Sequence, residues 1–247
     1  MAIILGLGFT GKRLARRLLA RGEEVFAPGR GETMALPKQA RMAVLIPPVP
    51  EPGRAGLRRA ILDLAPARVV YVSSTGVYGD QVDVDENTSV NPSDERGRLR
   101  LEDDAWFAAG PWSSLILRSS AIYGPGRGVH AALREGRVPR GTASGVVSRI
   151  HVDDLAALVE AGLYSDLRGA WPVADRGPCS TAEIARWYAE LSGIELEAPG
   201  GPQVSGRRVN GDKVCDLLGV SLQYPSWRTG IPASLEEEKL GGPIQPL

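Results

Sequence analysis

The residues best placed to do chemistry lie near the start of the chain. Gly6-Leu7-Gly8-Phe9-Thr10-Gly11 follows a short apolar run, Ala2 to Leu5, and opens a stretch with helical spacing. A G-x-G-x-x-G between strand and helix suits a dinucleotide. One glycine makes the tight turn, the next admits a pyrophosphate to the backbone, and the third lets helix pack on strand. The helix N-terminus adds free N–H groups and the positive end of its dipole. Gly6, Gly8, Phe9, Thr10 and Gly11 are therefore candidate cofactor contacts. Nineteen positions after Gly11 stands Arg30. Arginine there favours the 2′-phosphate of NADP, whereas an acid favours the ribose of NAD. NADP(H) is preferred on that ground; Glu32 keeps NAD(H) open, and Arg30 also reads as a solvated turn residue.

The elements that must position these residues are legible as alternating periods. Phe9 to Arg21 is helical, with Leu14, Leu18 and Leu19 between basic residues, and Gly22 closes it in a left-handed cap. Glu24 to Ala27 and Ala43 to Ile46 read as strands, the second stopped by Pro47-Pro48. Gly56 to Leu64 reads as a helix, Arg68 to Ser73 as a buried strand, residues 97–109 as a helix and Ser114 to Leu117 as a strand. A helix capped by Asp153 runs to Leu163, Ala170 to Ala174 is a strand, and a helix capped by Ser180 covers Thr181 to Leu191. Alternation of this kind predicts an α/β fold, a doubly wound parallel Rossmann sheet covered on both faces.

Three further segments carry a resemblance. Tyr71-Val72-Ser73-Ser74-Thr75-Gly76-Val77-Tyr78-Gly79, Leu117-Arg118-Ser119-Ser120-Ala121-Ile122-Tyr123-Gly124-Pro125-Gly126-Arg127 and Arg149-Ile150-His151-Val152-Asp153-Asp154-Leu155-Ala156 stand in order after the glycine motif. The pattern resembles the extended short-chain dehydrogenases, the NAD-dependent epimerase/dehydratase family. The resemblance implies an NAD(P)-dependent epimerase, dehydratase or reductase fold, often acting on nucleotide sugars. It also implies catalytic Ser/Thr, Tyr and Lys beside the nicotinamide. Ser74 matches the Ser/Thr position, at the carboxyl edge of the sheet where α/β ligands bind; a turn-capping role fits it equally. Arg96 stands at the tyrosine position and Arg100 at the lysine position. Arginine keeps its proton and cannot shuttle one, although Arg96 could stabilise an oxyanion. This departure resembles the atypical branch of the superfamily, many of whose members bind dinucleotide without the usual chemistry. Tyr78 and Tyr123 are the tyrosines nearest the expected pocket, as displaced proton donors or as packing groups.

By the same resemblance, Pro47, Ser73, Ser74 and Ile122 join the candidate cofactor contacts. Only about fifteen residues separate Arg30 from the strand ending at Ile46, too few for the family's usual third strand and its helix. About six strands are expected, with the second at an edge and an open adenine pocket. Residues 1–174 are expected to form the dinucleotide domain, with a substrate-facing insertion at about 125–149. Residues 175–235 would be a small α-rich substrate lobe and 236–247 a flexible tail.

Other polar residues have two readings. Arg96 and Arg100 lie at i and i+4 and share a helix face. Arg100 could pair with Asp103 or Asp104, and Arg98 with Glu102, or the arginines could receive a phosphate or carboxylate. Between Arg118 and Arg149 six arginines (118, 127, 134, 137, 140, 149) face one glutamate, Glu135. That excess suits an anionic ligand, though solvated loops carry the same signature. His151 reads as a structural histidine at a helix start, Trp171 and Trp187 as packing groups, and no metal cluster is indicated. Cys179 and Cys215 lack metal or disulfide spacing and read as thiols of a reducing compartment.

Composition bounds the partners. Lys+Arg and Asp+Glu balance at 29 each, so no global field recommends nucleic acid or a membrane surface. With no basic leader or membrane-length apolar run, a cytoplasmic location is expected. Together these features predict an NADP(H)-binding, epimerase/dehydratase-like protein that acts on or binds an anionic small molecule such as a nucleotide sugar. The alternative is a dinucleotide-binding redox sensor without turnover. The resemblance also suggests a homodimer through the helices after Ser89 and Ala156.

Overall fold

The computed structural model describes residues 1–27, 40–47, 49–137, 145–196 and 206–240. Strand β1 (Ala2–Leu5) leads through the glycine turn to α1 (Phe9–Ala20), β2 (Val25–Phe26), β3 (Arg41–Val44) and α2 (Gly53–Leu64). Next come β4 (Arg68–Ser74), a 3-10 turn (Thr75–Tyr78), β5 (Asp83–Val84), α3 (Glu95–Ala108), β6 (Ser113–Ser119) and β7 (Ala121–Tyr123). The chain continues through α4 (Val129–Arg134), β8 (Val146–Val147), β9 (Arg149–His151), α5 (Val152–Leu163) and β10 (Gly169–Val173). It closes with β11 (Cys179–Ser180), α6 (Thr181–Ser192), β12 (Arg208–Val209), α7 (Asp212–Leu218) and α8 (Trp227–Leu240).

Six parallel strands form the central sheet in the order β10-β6-β4-β3-β1-β2. This is the predicted doubly wound Rossmann architecture, with β2 at the edge. The strands read as apolar runs because both faces are buried. Ala2, Ile4, Val70, Val72, Leu115 and Leu117 pack with Leu14 and Leu18 of α1 and Leu155 and Leu158 of α5. Their alternates Ile3, Met42, Val69, Tyr71 and Ile116 pack with Ile61 of α2 and Phe107 of α3. β2 and β3 flank β1 on opposite sides, so the chain reverses direction there and opens a crevice at the carboxyl ends of the strands.

Several boundaries differ from the sequence reading. β3 ends at Val44 rather than Ile46, because it pairs with β1 from Ala2↔Arg41 to Leu5↔Val44 and stops where β1 stops. α2 starts at Gly53 rather than Gly56. The cap of α5 is His151, whose side chain accepts from the Asp153 amide; Asp153 itself lies in the first turn. Ser180 does cap α6, accepting from the Glu183 amide at 3.0 Å.

A larger correction concerns the C-terminal segment. Helix α8 continues to Leu240, five residues into the expected tail. It is tied down there, with Glu237 pairing with Arg13 at 2.6 Å and Glu238 with Arg134. The same segment covers α5. Asp154 accepts from the amides of Gln223 and Tyr224 at 2.7 and 3.0 Å, and Leu218, Val220 and Leu222 join the core that α5 faces. No residue of α5 is exposed, whereas α3, the other helix of the expected dimer, exposes Arg98, Glu102 and Ala105. Among the described residues no helix is long and apolar enough to cross a membrane.

Candidate functional site

A cleft of about 940 Å³ opens at the carboxyl ends of β1, β3, β4 and β6. One side is the glycine turn. Gly6 has φ +105°, and a Cβ there would lie 2.9 Å from Ile46 Cγ2. A Cβ on Gly11 would stand 2.1 Å from the Gly6 carbonyl oxygen, so helix and turn approach as only glycine allows. Gly8 is the N-cap of α1; no side chain caps this helix, and its first turn holds no acid. Phe9, Thr10 and Gly11 line the cleft with it. Neutral, uncapped and glycine-lined, this N-terminus fits an anionic group. Pro47, Ser73, Ser74 and Ile122 line the cleft as well. Arg30 lies outside the described residues.

The second wall is the turn after β4 and the start of α3. Ser74 Oγ accepts from the Gly76 amide at 3.1 Å. That bond caps the 3-10 turn while leaving the hydroxyl proton free to donate. Arg96 is exposed at the cleft, whereas Arg100, one turn later, is buried. Its Nη1 donates to Ile46 O at 3.1 Å, Tyr71 Oη at 2.7 Å and Val72 O at 3.2 Å. Arg100 therefore joins the ends of β3 and β4 beneath the cleft and pairs with neither Asp103 nor Asp104. Those acids answer to other arginines: Asp103 to Arg58 at 3.1 Å and Asp104 to Arg118 at 3.0 Å. Glu102 pairs with Arg54 rather than Arg98, because α2 packs alongside and its arginines reach across.

Neither tyrosine reaches the cleft. Tyr78 is buried, and its hydroxyl accepts from Arg118 at 3.2 Å. Burial pushes its pKa up, which opposes a proton-donor role. Tyr123 is buried too, its ring 5.2 Å from that of His151. Among the described residues no tyrosine, lysine, histidine or cysteine lines the cleft. Its titratable wall consists of Asp80, Arg96, Arg100, Arg127 and Arg207.

The basic stretch is mostly engaged internally. Arg118 pairs with Asp104, Arg134 with Glu238 and Arg137 with Glu135. Arg149 is buried and donates to Val147 O at 2.8 Å and Cys179 O at 2.9 Å. Arg140 lies outside the described residues, and Arg127 alone of the described five lines the cleft. A second cation, Arg207, comes from the C-terminal part and was not anticipated. Its amide donates to Val146 O at 2.7 Å, and its guanidinium reaches Thr75 O at 2.7 Å, Gln81 O at 3.2 Å and Gly79 O. Arg207 thus ties β12 to the turn that follows Ser74. The only signal in the sequence is Arg207-Arg208 before Val209, too short for any period.

Two buried groups stand apart from the cleft. His151 accepts from the Asp153 amide at 3.2 Å, and its Nε2 lies 3.2 Å from Ser234 Oγ. Burial lowers its pKa to about 3, which keeps it neutral and structural. Asp175 accepts from the Gly177 amide at 3.0 Å, and burial pushes its carboxyl up to about 7.

No protein-family model matches the chain. Protein YeeZ of Escherichia coli K12 is 30% identical over 169 residues, a match covering 64% of this chain and 59% of YeeZ. Two solved structures match nearly end to end. A conserved protein of unknown function from Silicibacter pomeroyi is 28% identical, with TM-score 0.80 over 96% of this chain and 98% of that one. A Methylobacillus flagellatus protein, provisionally described as an NAD-dependent epimerase/dehydratase, is 29% identical, with TM-score 0.73 over 96% and 98%. Two more distant structures share the fold. MoeE5 in complex with UDP-glucose and NAD is 22% identical, with TM-score 0.77 over 97% of this chain and 99% of its own. RMD from Pseudomonas aeruginosa, complexed with NADPH, is 16% identical, with TM-score 0.76 over 97% and 100%.

Proposed function

We propose that this chain is an atypical extended short-chain dehydrogenase of the NAD-dependent epimerase/dehydratase family and binds NADP(H) along the glycine wall of its cleft. The other end of the cleft takes an anionic small molecule such as a nucleotide sugar. The observation carrying this reading is the glycine-lined, uncapped N-terminus of α1 opening into a 940 Å³ cleft at the strand ends. Fold relatives that hold NAD with UDP-glucose, or NADPH, support a nicotinamide dinucleotide and a nucleotide-sugar-sized companion. The NADP preference rests on Arg30, with NAD open through Glu32. A cytoplasmic location remains part of the reading. So does the division into a dinucleotide domain (1–174) and a smaller substrate lobe (175–235), with Arg207 reaching back to the cleft.

When bound, the nicotinamide supplies or accepts hydride. The chain's own residues do the rest. The α1 amides hold the diphosphate, and Gly6, Gly8 and Gly11 keep side chains out of its way. Ser74 donates its free hydroxyl to a substrate oxygen, and the exposed Arg96 stabilises negative charge there. Arg96 cannot carry a proton, so a proton that moves must come from water or from the substrate itself. Arg100 acts at a distance, holding the ends of β3 and β4 in place.

The second reading is a sensor that holds the dinucleotide without turnover. It is favoured by one observation, the lack of any described tyrosine, lysine or histidine on the cleft wall. Nicotinamide absorbance and product analysis with a panel of sugar nucleotides separate the two. Oxidation of NADPH or reduction of NADP by any member of the panel establishes an enzyme. Unaltered cofactor together with unaltered sugar nucleotides, with binding intact, leaves the sensor, since an epimerase or dehydratase returns its cofactor unchanged.

A further inference from the structure

The arginine that remains on the cleft from the basic stretch sits directly over the start of α1. Arg127 belongs to a turn closed by two backbone bonds, Gly124 N to Arg127 O at 2.9 Å and Arg127 N to Gly124 O at 3.0 Å. Its guanidinium lies 5.3 Å from the ring centroid of Phe9, the first residue of α1. The same turn lies close to that ring, since a Cβ on Gly124 would stand 3.1 Å from Phe9 Cζ. Arg127 lines the cleft together with Gly8 and Thr10 and forms no ion pair among the described residues. A fixed cation therefore stands beside a helix N-terminus that has no acid in its first turn. Such an arrangement accumulates positive potential at the start of α1. The turn is not free to drift. The Gly126 amide donates to Glu238 Oε1 at 2.6 Å, and Glu238 is itself paired with Arg134.

We propose that Arg127 contacts the diphosphate of the bound dinucleotide, closing over the α1 N-terminus from the opposite side, and that Glu238 is a positioning residue for it. The inference rests on the reading of the cleft as a dinucleotide site. The planar fork of arginine suits two oxygens of a diphosphate, and stacking on Phe9 holds the fork in place before the ligand arrives.

The test is calorimetric titration of wild type, Arg127→Ala, Arg127→Lys and Glu238→Gln with NADPH and with ADP-ribose, each variant first shown to keep the wild-type melting profile. Arg127→Ala is expected to weaken both ligands by about tenfold, the scale of one charge-assisted hydrogen bond. Arg127→Lys should fall between, keeping the charge and losing the fork. The difference from wild type should shrink as salt is raised. Glu238→Gln should weaken binding by a smaller factor although it touches no ligand; wild-type affinity in that variant overturns the positioning role. If wild type binds NADPH and Arg127→Ala binds it, or ADP-ribose, equally well, the Arg127 contact is wrong and the dinucleotide site stands. If wild type binds neither ligand, both fall.

Discussion

Arg100 stands where the resemblance leads one to expect a lysine, and its Nη1 contacts Ile46 O, Tyr71 Oη and Val72 O. Arg100→Met should leave these acceptors buried and unpaired, costing about 2–4 kcal/mol of stability. Urea unfolding reads this directly, and a variant as stable as wild type would refute the buttress. Gly11→Ala drives a methyl to within 2.1 Å of the Gly6 carbonyl. About 1–3 kcal/mol of stability should be lost, as is usual for overpacking, along with dinucleotide binding. Asp175 offers a pH signature. Burial raises its carboxyl to about 7, from about 3.9 in an unfolded chain; Asp154 adds to the rise, and the Gly177 amide, Arg149 and Tyr123 oppose it. The folded state thus favours the protonated form. Its stabilising contribution is full below about pH 4 and is lost as pH rises to about 7. Asp175→Asn, neutral throughout, should gain melting temperature over wild type between about pH 5 and pH 8. A constant difference across that window would exclude the shift.

At the scale of elements, long periodic segments were legible and short ones were not. The glycine turn, α1, β4 and α6 announce themselves because caps, glycines and apolar spacing agree. The two-residue strands β5, β8, β11 and β12 carry no period, yet β8 brings Val146 to the cleft, and β12 brings Val209 with Arg207 just before it. The fate of α5 was also hidden. Its sequence shows a dimer-type helix by resemblance, and nothing local shows that residues 218–224 of the same chain will cover it. With that face occupied, any pairing of the 26.3 kDa chain falls to the exposed face of α3, and light scattering of a charge-reversed Arg98→Glu variant reads it. A stable dimer in that variant would require another surface or displacement of the C-terminal segment.

Across the whole molecule the cleft has two histories. Its glycine half comes from neighbouring residues, so six consecutive letters describe it. Its other half assembles Ser74, Arg96, Arg127 and Arg207 from four distant segments. Residue type alone could not say that Arg118, Arg134 and Arg149 would be taken up by internal partners while Arg127 stayed at the cleft. In the proposed reading the dinucleotide unites the halves, and its binding is the claim on which the rest depends. Calorimetric titration of the nucleotide-stripped protein with NADPH and NADH, repeated on Arg30→Ala, tests it most directly. The account predicts saturable NADPH binding, weaker NADH binding, and loss of the NADPH advantage in the variant. Binding of neither dinucleotide would contradict it, and equal binding of both by wild type would remove the role given to Arg30.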